Sequence, residues 1–153
     1  MKKLKVTLTI GISNSGKSTW AEEFVKNNSD TVELNRDNTR ITNFCGGDRS
    51  RYGEYEFDSL SEDIVTDIIM NKAYKALRDN KNLIISDTNL HSITRQSWKD
   101  FADANNLEYE ERHFDVDIDT CLERNEKRDI SIPPWVIRKQ FDRYKREFSC
   151  RNQ

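Results

Sequence analysis

The stretch Gly11-Ile12-Ser13-Asn14-Ser15-Gly16-Lys17-Ser18 matches the pattern G-x-x-x-x-G-K-[ST] at every fixed position. In this pattern the glycines let the backbone curl, so that successive N–H groups and the start of a helix face the phosphates of a nucleotide. The lysine then reaches the β- and γ-phosphates, and the hydroxyl after it ligates magnesium. The alternative, a chance glycine-rich turn, is disfavoured by the sequence on either side of the stretch.

That sequence context is a strand followed by a helix. Apolar and polar residues alternate over residues 4–10, and from Ser18 onward apolar residues recur at helical spacing until residues 27–30. We therefore predict a site for ATP or another nucleoside triphosphate with Mg²⁺, in which Lys17 is catalytic and Ser18 is a metal ligand. The other residues predicted to line this nucleotide site are Gly11, Ser13, Asn14, Ser15, Gly16 and Thr19.

Short strands and amphipathic helices alternate along the rest of the chain. Strands are predicted at residues 31–34, 83–86 and 108–114, the last polar enough to be an outer strand, and helices at 60–77, 92–105, 118–127 and 136–148. This alternation predicts an α/β fold of the P-loop NTPase/kinase type, with a short parallel sheet of about four strands and helices on both faces. We expect a single domain over residues 1–153. Residues 43–55 hold three of the five glycines and show no period, which predicts a mobile loop on the binding face.

Composition limits the class of protein. The 153 residues include 25 Lys and Arg against 27 Asp and Glu, a formal net charge of −2. No apolar run approaches the ~18 residues that span a bilayer, and the alternating start of the chain is not a signal peptide. Three widely spaced cysteines, Cys45, Cys121 and Cys150, are typical of a reduced protein. We expect a cytoplasmic protein without a membrane partner, and the composition leaves a homo-oligomer open.

Two carboxylates follow the predicted second and third strands. Asp37 stands in Asn35-Arg36-Asp37-Asn38-Thr39-Arg40, and Asp87 follows the run at residues 83–86. The carboxyl ends of parallel strands line the ligand crevice of such a sheet. Asp37 is therefore a candidate to take a proton from an attacking hydroxyl, and Asp87 to act on the magnesium shell through water. The alternative for each is a turn or a helix cap, both common for aspartate.

Three arginines are candidates for binding phosphate. Arg40 lies three residues after Asp37, and its planar guanidinium suits a phosphate on the acceptor. Arg124 and Arg128 lie one helical turn apart before the loop at residues 129–134, where a closing lid could place a cation over a transferring phosphoryl group. A charged, solvated helix face explains the pair of arginines equally well.

The whole chain resembles the kinase domain of the T-even bacteriophage polynucleotide kinase/3′-phosphatase family. The resemblance rests on an ordered set of motifs: Gly11 through Ala21, Asn35-Arg36-Asp37, Ile84 through Leu90, Phe114-Asp115-Val116 and Arg124-Asn125-x-Lys127-Arg128. It implies transfer of the ATP γ-phosphate to the 5′-hydroxyl ends of DNA or RNA, as in nucleic-acid end repair.

The resemblance also implies a role for each candidate residue. Lys17 and Ser18 would hold phosphate and magnesium, and Asp37 would be the general base on the 5′-hydroxyl. Arg40 would contact the first internucleotide or 3′ phosphate of the acceptor, Arg128 would be the lid arginine on the donor phosphates, with Arg124 beside it, and Asp87 and Thr88 would support the acceptor side.

Other functions stay open at this stage. A kinase of a small-molecule hydroxyl, such as that of a nucleoside, sugar or antibiotic, would share the P-loop and the base, and a non-catalytic nucleotide switch would share the P-loop alone. Asp115-Val116-Asp117 imitates the D-x-D of an aspartate phosphatase, but polar residues precede it, so we interpret Asp117 as a helix cap. We expect no phosphatase activity, and the chain reaches Gln153 without a phosphatase domain.

The remaining polar and aromatic residues predict structural roles. His91 and His113 have no cysteine at ligand spacing and are expected at the surface or at caps. Trp20, Trp98 and Trp135 are expected in the core. Residues 136–153 carry six basic and two acidic residues, an excess that could follow a phosphodiester backbone or simply face solvent.

Overall fold

Four short strands form one parallel sheet in the order β2-β3-β1-β4 in the computed structural model, which describes residues 3–129 and 131–148. The strands are β1 (Lys5–Ile10), β2 (Thr31–Leu34), β3 (Asn82–Ile85) and β4 (Glu108–His113). Each predicted strand is confirmed to within two residues at its ends. The polar strand β4 lies at an edge of the sheet, as predicted, and its residues alternate between exposed and half-buried.

Parallel pairing between the strands brings the carboxyl ends of β1, β2 and β3 to the same side of the sheet. β3 is paired on both sides, with Leu8 opposite Ile85 on β1 and Leu34 opposite Ile85 on β2. Ile85 is almost fully buried because strands flank it on both sides and helices cover the faces. The segments that follow these three strands therefore leave the sheet side by side.

Six helices and one 3₁₀ helix surround the sheet within the described residues. They are α1 (Lys17–Asn27), α2 (Arg36–Phe44), a 3₁₀ helix (Arg49–Glu54), α3 (Ser59–Arg78), α4 (Ser92–Ala104), α5 (Ile118–Glu126) and α6 (Pro134–Phe148). The β1-to-β2 connection runs in one direction along the sheet, and the β2-to-β3 and β3-to-β4 connections run in the other. Since such crossovers are right-handed, α1 lies on one face and α3 and α4 lie on the other.

The helix α2 and the 3₁₀ helix show that residues 43–55, predicted as a mobile loop without period, are partly helical. α2 extends to Phe44, and the 3₁₀ helix covers most of the remainder. Cys45 and Tyr55 are buried against Ile41 in a small apolar cluster of their own. Its members come from α2, the 3₁₀ helix and the residues just after each. They therefore follow no single helical or strand period, and periodicity could not reveal the cluster.

Two larger apolar clusters hold the elements together. The first joins the sheet face that carries Leu8 to α3 and α4, through residues such as Val65, Ile69 and Phe101. The second joins Ile12, Cys121 and Ile137, and so packs α5 and α6 against the loop that follows β1. The nucleotide loop is thus anchored in the second cluster through Ile12.

Several side chains depart from their predicted environments. Trp98 is buried and Trp20 half-buried, but Trp135 is 66% exposed, so its prediction as a core residue is wrong. His91 is exposed at the start of α4, whereas His113 packs edge-on against Phe148 and is not a surface residue. Cys45 and Cys121 are free thiols, and Cys150 lies outside the described residues.

None of the helices described has the length and apolar character that crossing a membrane requires.

Candidate nucleotide and acceptor site

The stretch Gly11–Ser18 forms the loop between β1 and α1, in the strand-loop-helix setting that the pattern predicts. Gly16 has a φ of +101°, a conformation that side chains with a Cβ rarely adopt, and it is the residue before the first turn of α1. A Cβ on Gly11 would lie 2.8 Å from Ser15 Oγ and 3.0 Å from Phe114. Both glycines are thus required by the path of the backbone.

Lys17 is buried inside this loop. Its ammonium donates a hydrogen bond to the carbonyl of Ile12 and lies 3.4 Å from Ser15 Oγ. Burial lowers the pKa of Lys17 to about 8, while the charges of Asp87 and Asp37 act in the opposite direction. The two predicted carboxylates thus favour the charged form of the P-loop lysine, and their direct approach to the bound phosphates stays a prediction.

Asp87 connects the end of β3 to the start of α2. Its Oδ1 accepts a 2.8 Å hydrogen bond from the backbone N–H of Arg36, the first residue of α2. Its own backbone carbonyl accepts from the buried hydroxyl of Thr9 on β1, at 3.0 Å. Next to it, the carbonyl of Thr88 accepts from the N–H of Gly11 at 3.2 Å. Burial raises the pKa of Asp87 to about 6, and repulsion from Asp37 adds to the rise.

Asn35, and not Asp37, caps α2 by its own side chain. Asn35 Oδ1 accepts from the N–H of Asn38 at 2.8 Å, and its Nδ2 donates to Ser86 at the end of β3. Asp37 lies in the first turn of α2 with 57% of its side chain exposed. The capping alternative for Asp37 is therefore wrong, and more than half of its side chain is open to solvent.

Two neighbours orient the carboxylate of Asp37. Arg40 Nη1 donates to Asp37 Oδ1 at 2.9 Å, and the hydroxyl of Tyr52 donates to the same oxygen. Because both donors bind Oδ1, Oδ2 has no protein donor among the described residues and can receive a proton from a substrate. Burial and the adjacent Asp37 charge raise the pKa of Tyr52, so its hydroxyl stays protonated and donates.

Arg40 is committed to protein partners in this structure. Its Nε and Nη2 bond the two oxygens of Glu62 on α3, at 2.9 and 2.6 Å, and only 12% of its side chain is exposed. This pairing holds the pKa of Glu62 at about 2. The prediction that Arg40 binds an acceptor phosphate stays a prediction.

Glu62, Tyr52 and Tyr55 are the members of the site that sequence reasoning missed. Tyr55 donates to Glu62 Oε2 at 2.6 Å and completes the network around Arg40. No spacing rule connects these residues, because they reach the site from the 3₁₀ helix, the loop after it and α3. The aromatic side chains in a segment without period were the only local signal.

Both predicted lid arginines contact the P-loop at Asn14. Arg124 Nη1 donates to the carbonyl of Asn14 at 3.0 Å, and Arg128 Nη1 donates to its side-chain oxygen at 2.8 Å. Asn14 has a φ of +67°. The buried Asn125 bonds both the N–H and the carbonyl of Ile132, which closes the loop after α5. Both arginines thus reach the P-loop through these bonds, although each remains exposed to solvent.

An open cleft of about 660 Å³ lies between the P-loop and these arginines, within the range of ligand sites. Ser18 and Thr19 are exposed in it. Its other lining residues are Asn14, Gly16, Lys17, Trp20, Glu23, Arg124 and Arg128. One P-loop donor is already used, since the N–H of Ser13 bonds Gln140 Oε1 on α6 at 2.8 Å.

The described residues contain no cluster of three or more His, Cys, Asp or Glu side chains that could hold a metal ion. Mg²⁺ does not need such a cluster, because it keeps several waters and binds through one or two protein ligands plus phosphate oxygens. Ser18 lies in the cleft, whereas Asp87, at the end of β3, is not among its lining residues, and the assignment of Mg²⁺ to these two side chains stays a prediction.

Comparison with known proteins supports the same reading of the chain. A family model described as "AAA domain" matches residues 6–150. A protein of Autographa californica nuclear polyhedrosis virus, named "Putative bifunctional polynucleotide kinase/RNA ligase", is 33% identical over 147 residues. That alignment covers 92% of this chain but 21% of the viral protein, so the chain spans about a fifth of its relative.

Solved structures share the fold at lower identity. A chain of the Pnkp1/Rnl/Hen1 RNA repair complex superposes with a TM-score of 0.74 at 21% identity, over 98% of this chain and 47% of that one. The Mycobacterium tuberculosis APS kinase CysC, in complex with AMPPNP and APS, gives a TM-score of 0.56 at 18% identity, over 83% and 71%. These structures confirm the predicted α/β P-loop kinase fold.

Nucleotide affinity is expected to fall as the pH rises through about 8. In the nucleotide-free protein Lys17 loses its proton near that pH, so above it the binding of a polyanion must take up a proton. The Kd for ATP should then rise by up to about tenfold per pH unit, measured by calorimetric titration from about pH 7 to 9.5. Lys17→Arg keeps its charge over this range and should lose the dependence; equal slopes for both proteins would contradict the assignment.

The charge on Asp87 is expected to lower the stability of the folded chain. Its pKa is about 6 when folded against 3.8 in the reference state, so this group's contribution is favourable below the lower value and is lost as the pH rises through the higher one. Asp87→Asn keeps an acceptor for Arg36 and removes the charge. Its free energy of unfolding should exceed the wild-type value by roughly 1–3 kcal/mol near neutral pH and converge with it near pH 4.

Urea unfolding in metal-free buffer at the two pH values measures this difference. Asp63→Asn, an exposed aspartate on α3, is the matched control and should change little. A gain for Asp87→Asn that is equal at both pH values would mean that the buried charge is not its cause.

Proposed function

The chain belongs to the AAA domain family of P-loop proteins, and from that premise we propose that it transfers the γ-phosphate of ATP to the 5′-hydroxyl end of DNA or RNA. The observation that carries the proposal is the position of Asp37. Its carboxylate is exposed and oriented through one oxygen, and its charge opposes the fall that burial causes in the pKa of Lys17. A pure nucleotide switch has no use for a solvent-facing carboxylate held at that point.

The donor nucleotide would be held by the P-loop. The backbone N–H groups between Gly11 and Ser18 and the start of α1 supply donors and a favourable dipole for its phosphates, and Lys17 supplies a charge. Ser18, with Asp87 acting through water, would hold the Mg²⁺ ion, which neutralises phosphate charge when it is bound.

On the acceptor side, Asp37 performs the proton transfer. The 5′-hydroxyl gives its proton to Oδ2 of Asp37 as its oxygen bonds to the γ-phosphorus. The bond from that phosphorus to the bridging oxygen breaks in line, and ADP leaves. Arg40 and Tyr52 keep the carboxylate oriented throughout, so positioning and charge neutralisation provide the rate without a covalent intermediate.

Arg124 and Arg128 would supply positive charge on the donor side. Both guanidinium groups lie at Asn14, at the mouth of the cleft. A cation that meets the charge developing on a transferring phosphoryl group stabilises the transition state more than the ground state. We assign the larger share to Arg128, whose contact is with the side chain of Asn14 and can be exchanged without moving the loop.

The acceptor class rests on the viral relative, whose name includes polynucleotide kinase, and on the resemblance in the sequence motifs. One observation favours a second candidate, a kinase of a small-molecule hydroxyl. Arg40, the residue expected to contact an acceptor phosphate, is bonded to Glu62 through two of its nitrogens. A small acceptor would need no contact from it.

A direct assay separates the candidates. ATP labelled at the γ-phosphate is incubated with 5′-hydroxyl oligonucleotides, DNA and RNA, in parallel with nucleosides and sugars. Label on the oligonucleotides supports the proposal, and label on the small molecules alone replaces it with the second candidate. Nucleotide binding without label transfer to any acceptor would leave a switch.

Replacement of Asp37 is expected to abolish transfer without loss of nucleotide binding. Asp37→Asn keeps an oxygen for Arg40 and Tyr52 but cannot accept the proton, so kcat should fall by at least about 10²-fold, while the Kd for ATP stays unchanged. Asp63→Asn on α3 serves as the control for loss of one surface charge. Near-full turnover by Asp37→Asn would refute the base assignment.

Removal of the Arg128 guanidinium should have a comparable effect on the chemical step. If Arg128 contacts the transferring group, Arg128→Ala should lower kcat by roughly 10³-fold or more, the range found for arginines of this kind. Its neighbour Lys127, which pairs with Glu123 and is 75% exposed, gives the control Lys127→Ala. A loss of only a few-fold, equal in both variants, would reduce Arg128 to a peripheral charge.

A further inference from the structure

Four aromatic side chains form a cluster beside the candidate base, and we call it the aromatic platform: Phe44, Tyr52, Tyr55 and Phe57. Phe44 and Tyr52 both contact Tyr55, with ring centroids 5.3 and 6.1 Å apart. Phe57 contacts Tyr55 edge-to-face at 4.8 Å and Tyr52 at 6.1 Å. Tyr55 is buried at the centre, so the platform has a fixed interior.

Phe57 is the exposed member of this platform. It leaves 63% of its surface accessible, although an apolar ring of this size normally seeks burial. Its position is nevertheless defined, because Tyr55 holds its edge and the guanidinium of Arg40 lies 4.9 Å from its ring centroid. An exposed aromatic ring that its neighbours support in this way can stack with another flat group.

The platform is continuous with the reaction centre. The Tyr52 ring packs against Phe57, and the Tyr52 hydroxyl bonds Oδ1 of Asp37. Arg40 joins the same two points, since it bonds Asp37 and covers Phe57. A hydroxyl presented to Asp37 therefore arrives with the rest of its sugar next to this surface.

We propose that the aromatic platform stacks the terminal nucleobase of the acceptor strand, with Phe57 as the ring in contact. This inference rests on the proposed function. In a nucleic-acid terminus the base and the 5′-hydroxyl belong to one nucleotide. A 5′-hydroxyl held at Asp37 therefore keeps the base within the length of one nucleotide from Asp37. Aromatic stacking suits this task because every base has a flat face, and it selects for the presence of a base rather than its identity.

The platform also accounts for an otherwise unexplained use of Arg40. All three nitrogens of this arginine already donate to Glu62, Asp37 or Tyr52, so few of its N–H groups remain for a phosphate. Its guanidinium instead packs over the ring of Phe57 and donates a hydrogen bond to the carboxylate of Asp37. Arg40 is thus a positioning residue for both the base and the stacking ring.

The test pairs a protein variant with a change in the acceptor. Wild type and Phe57→Leu are assayed on a 5′-hydroxyl oligonucleotide and on the same oligonucleotide with an abasic terminal sugar. Stacking of one base corresponds to roughly a 5- to 150-fold effect. We expect Phe57→Leu to raise the acceptor KM on the natural strand by that order, to leave kcat and the KM for ATP unchanged, and to have no effect on the abasic strand.

Two controls accompany it. Phe57→Trp keeps a stacking ring and should retain a low KM. Tyr74→Leu removes a half-exposed aromatic that packs on Phe101 towards the far end of α3, and it should leave the acceptor KM unaltered.

The competing role for Phe57 is to shield the Arg40–Glu62 pair from water. Shielding predicts that Phe57→Leu acts equally on the natural and abasic strands, and that result would overturn the inference, as would an unchanged KM on both. Wild-type protein that phosphorylates no 5′-hydroxyl oligonucleotide would instead refute the proposed function, so the two failures are distinguishable.

Discussion

Parallel pairing of β3 with β1 on one side and β2 on the other is the constraint on which the site depends. It places the carboxyl ends of the three strands side by side. The P-loop follows β1, the helix that carries Asp37 follows β2, and Asp87 follows β3. The hydrogen bond from Arg36 to Asp87 then fixes α2 to the end of β3. Together with the bonds from Asn35 to Ser86, it ties the helix that carries the candidate base to the end of β3.

Two charged side chains of this site, Lys17 and Asp87, are largely buried, and burial disfavours their charged forms. Lys17 is buried enough to lose part of its affinity for a proton, and Asp87 enough to gain some. Each would be better solvated in the unfolded chain, so their presence lowers stability. Arg40 and Glu62 differ, because they neutralise each other at 2.6 Å and carry further hydrogen bonds. Lys17 and Asp87 therefore lower the stability of the fold, whereas Arg40 and Glu62 form a hydrogen-bonded ion pair.

What could be predicted from the sequence follows from how local each signal is. Some elements are defined by residues that lie close together in the sequence, and these were predicted: the P-loop, its flanking strand and helix, and the long helix α3. The helix α2 was not, because its start is stabilised by Asn35 and by Asp87, which lies 51 residues from Arg36. Glu62 and Tyr52 escaped for the same reason, since their roles exist only once α2, the 3₁₀ helix and α3 are packed together.

The contacts of Asn14 have a consequence for how the donor side of the cleft is completed. Both arginines already rest on this residue through neutral oxygens. A hydrogen bond to a charged oxygen is roughly twice as strong as one to a neutral oxygen, so an incoming phosphate can draw a guanidinium away from its amide partner. The exchange then needs only new partners for side chains that already lie at the P-loop, and no swing of a whole domain.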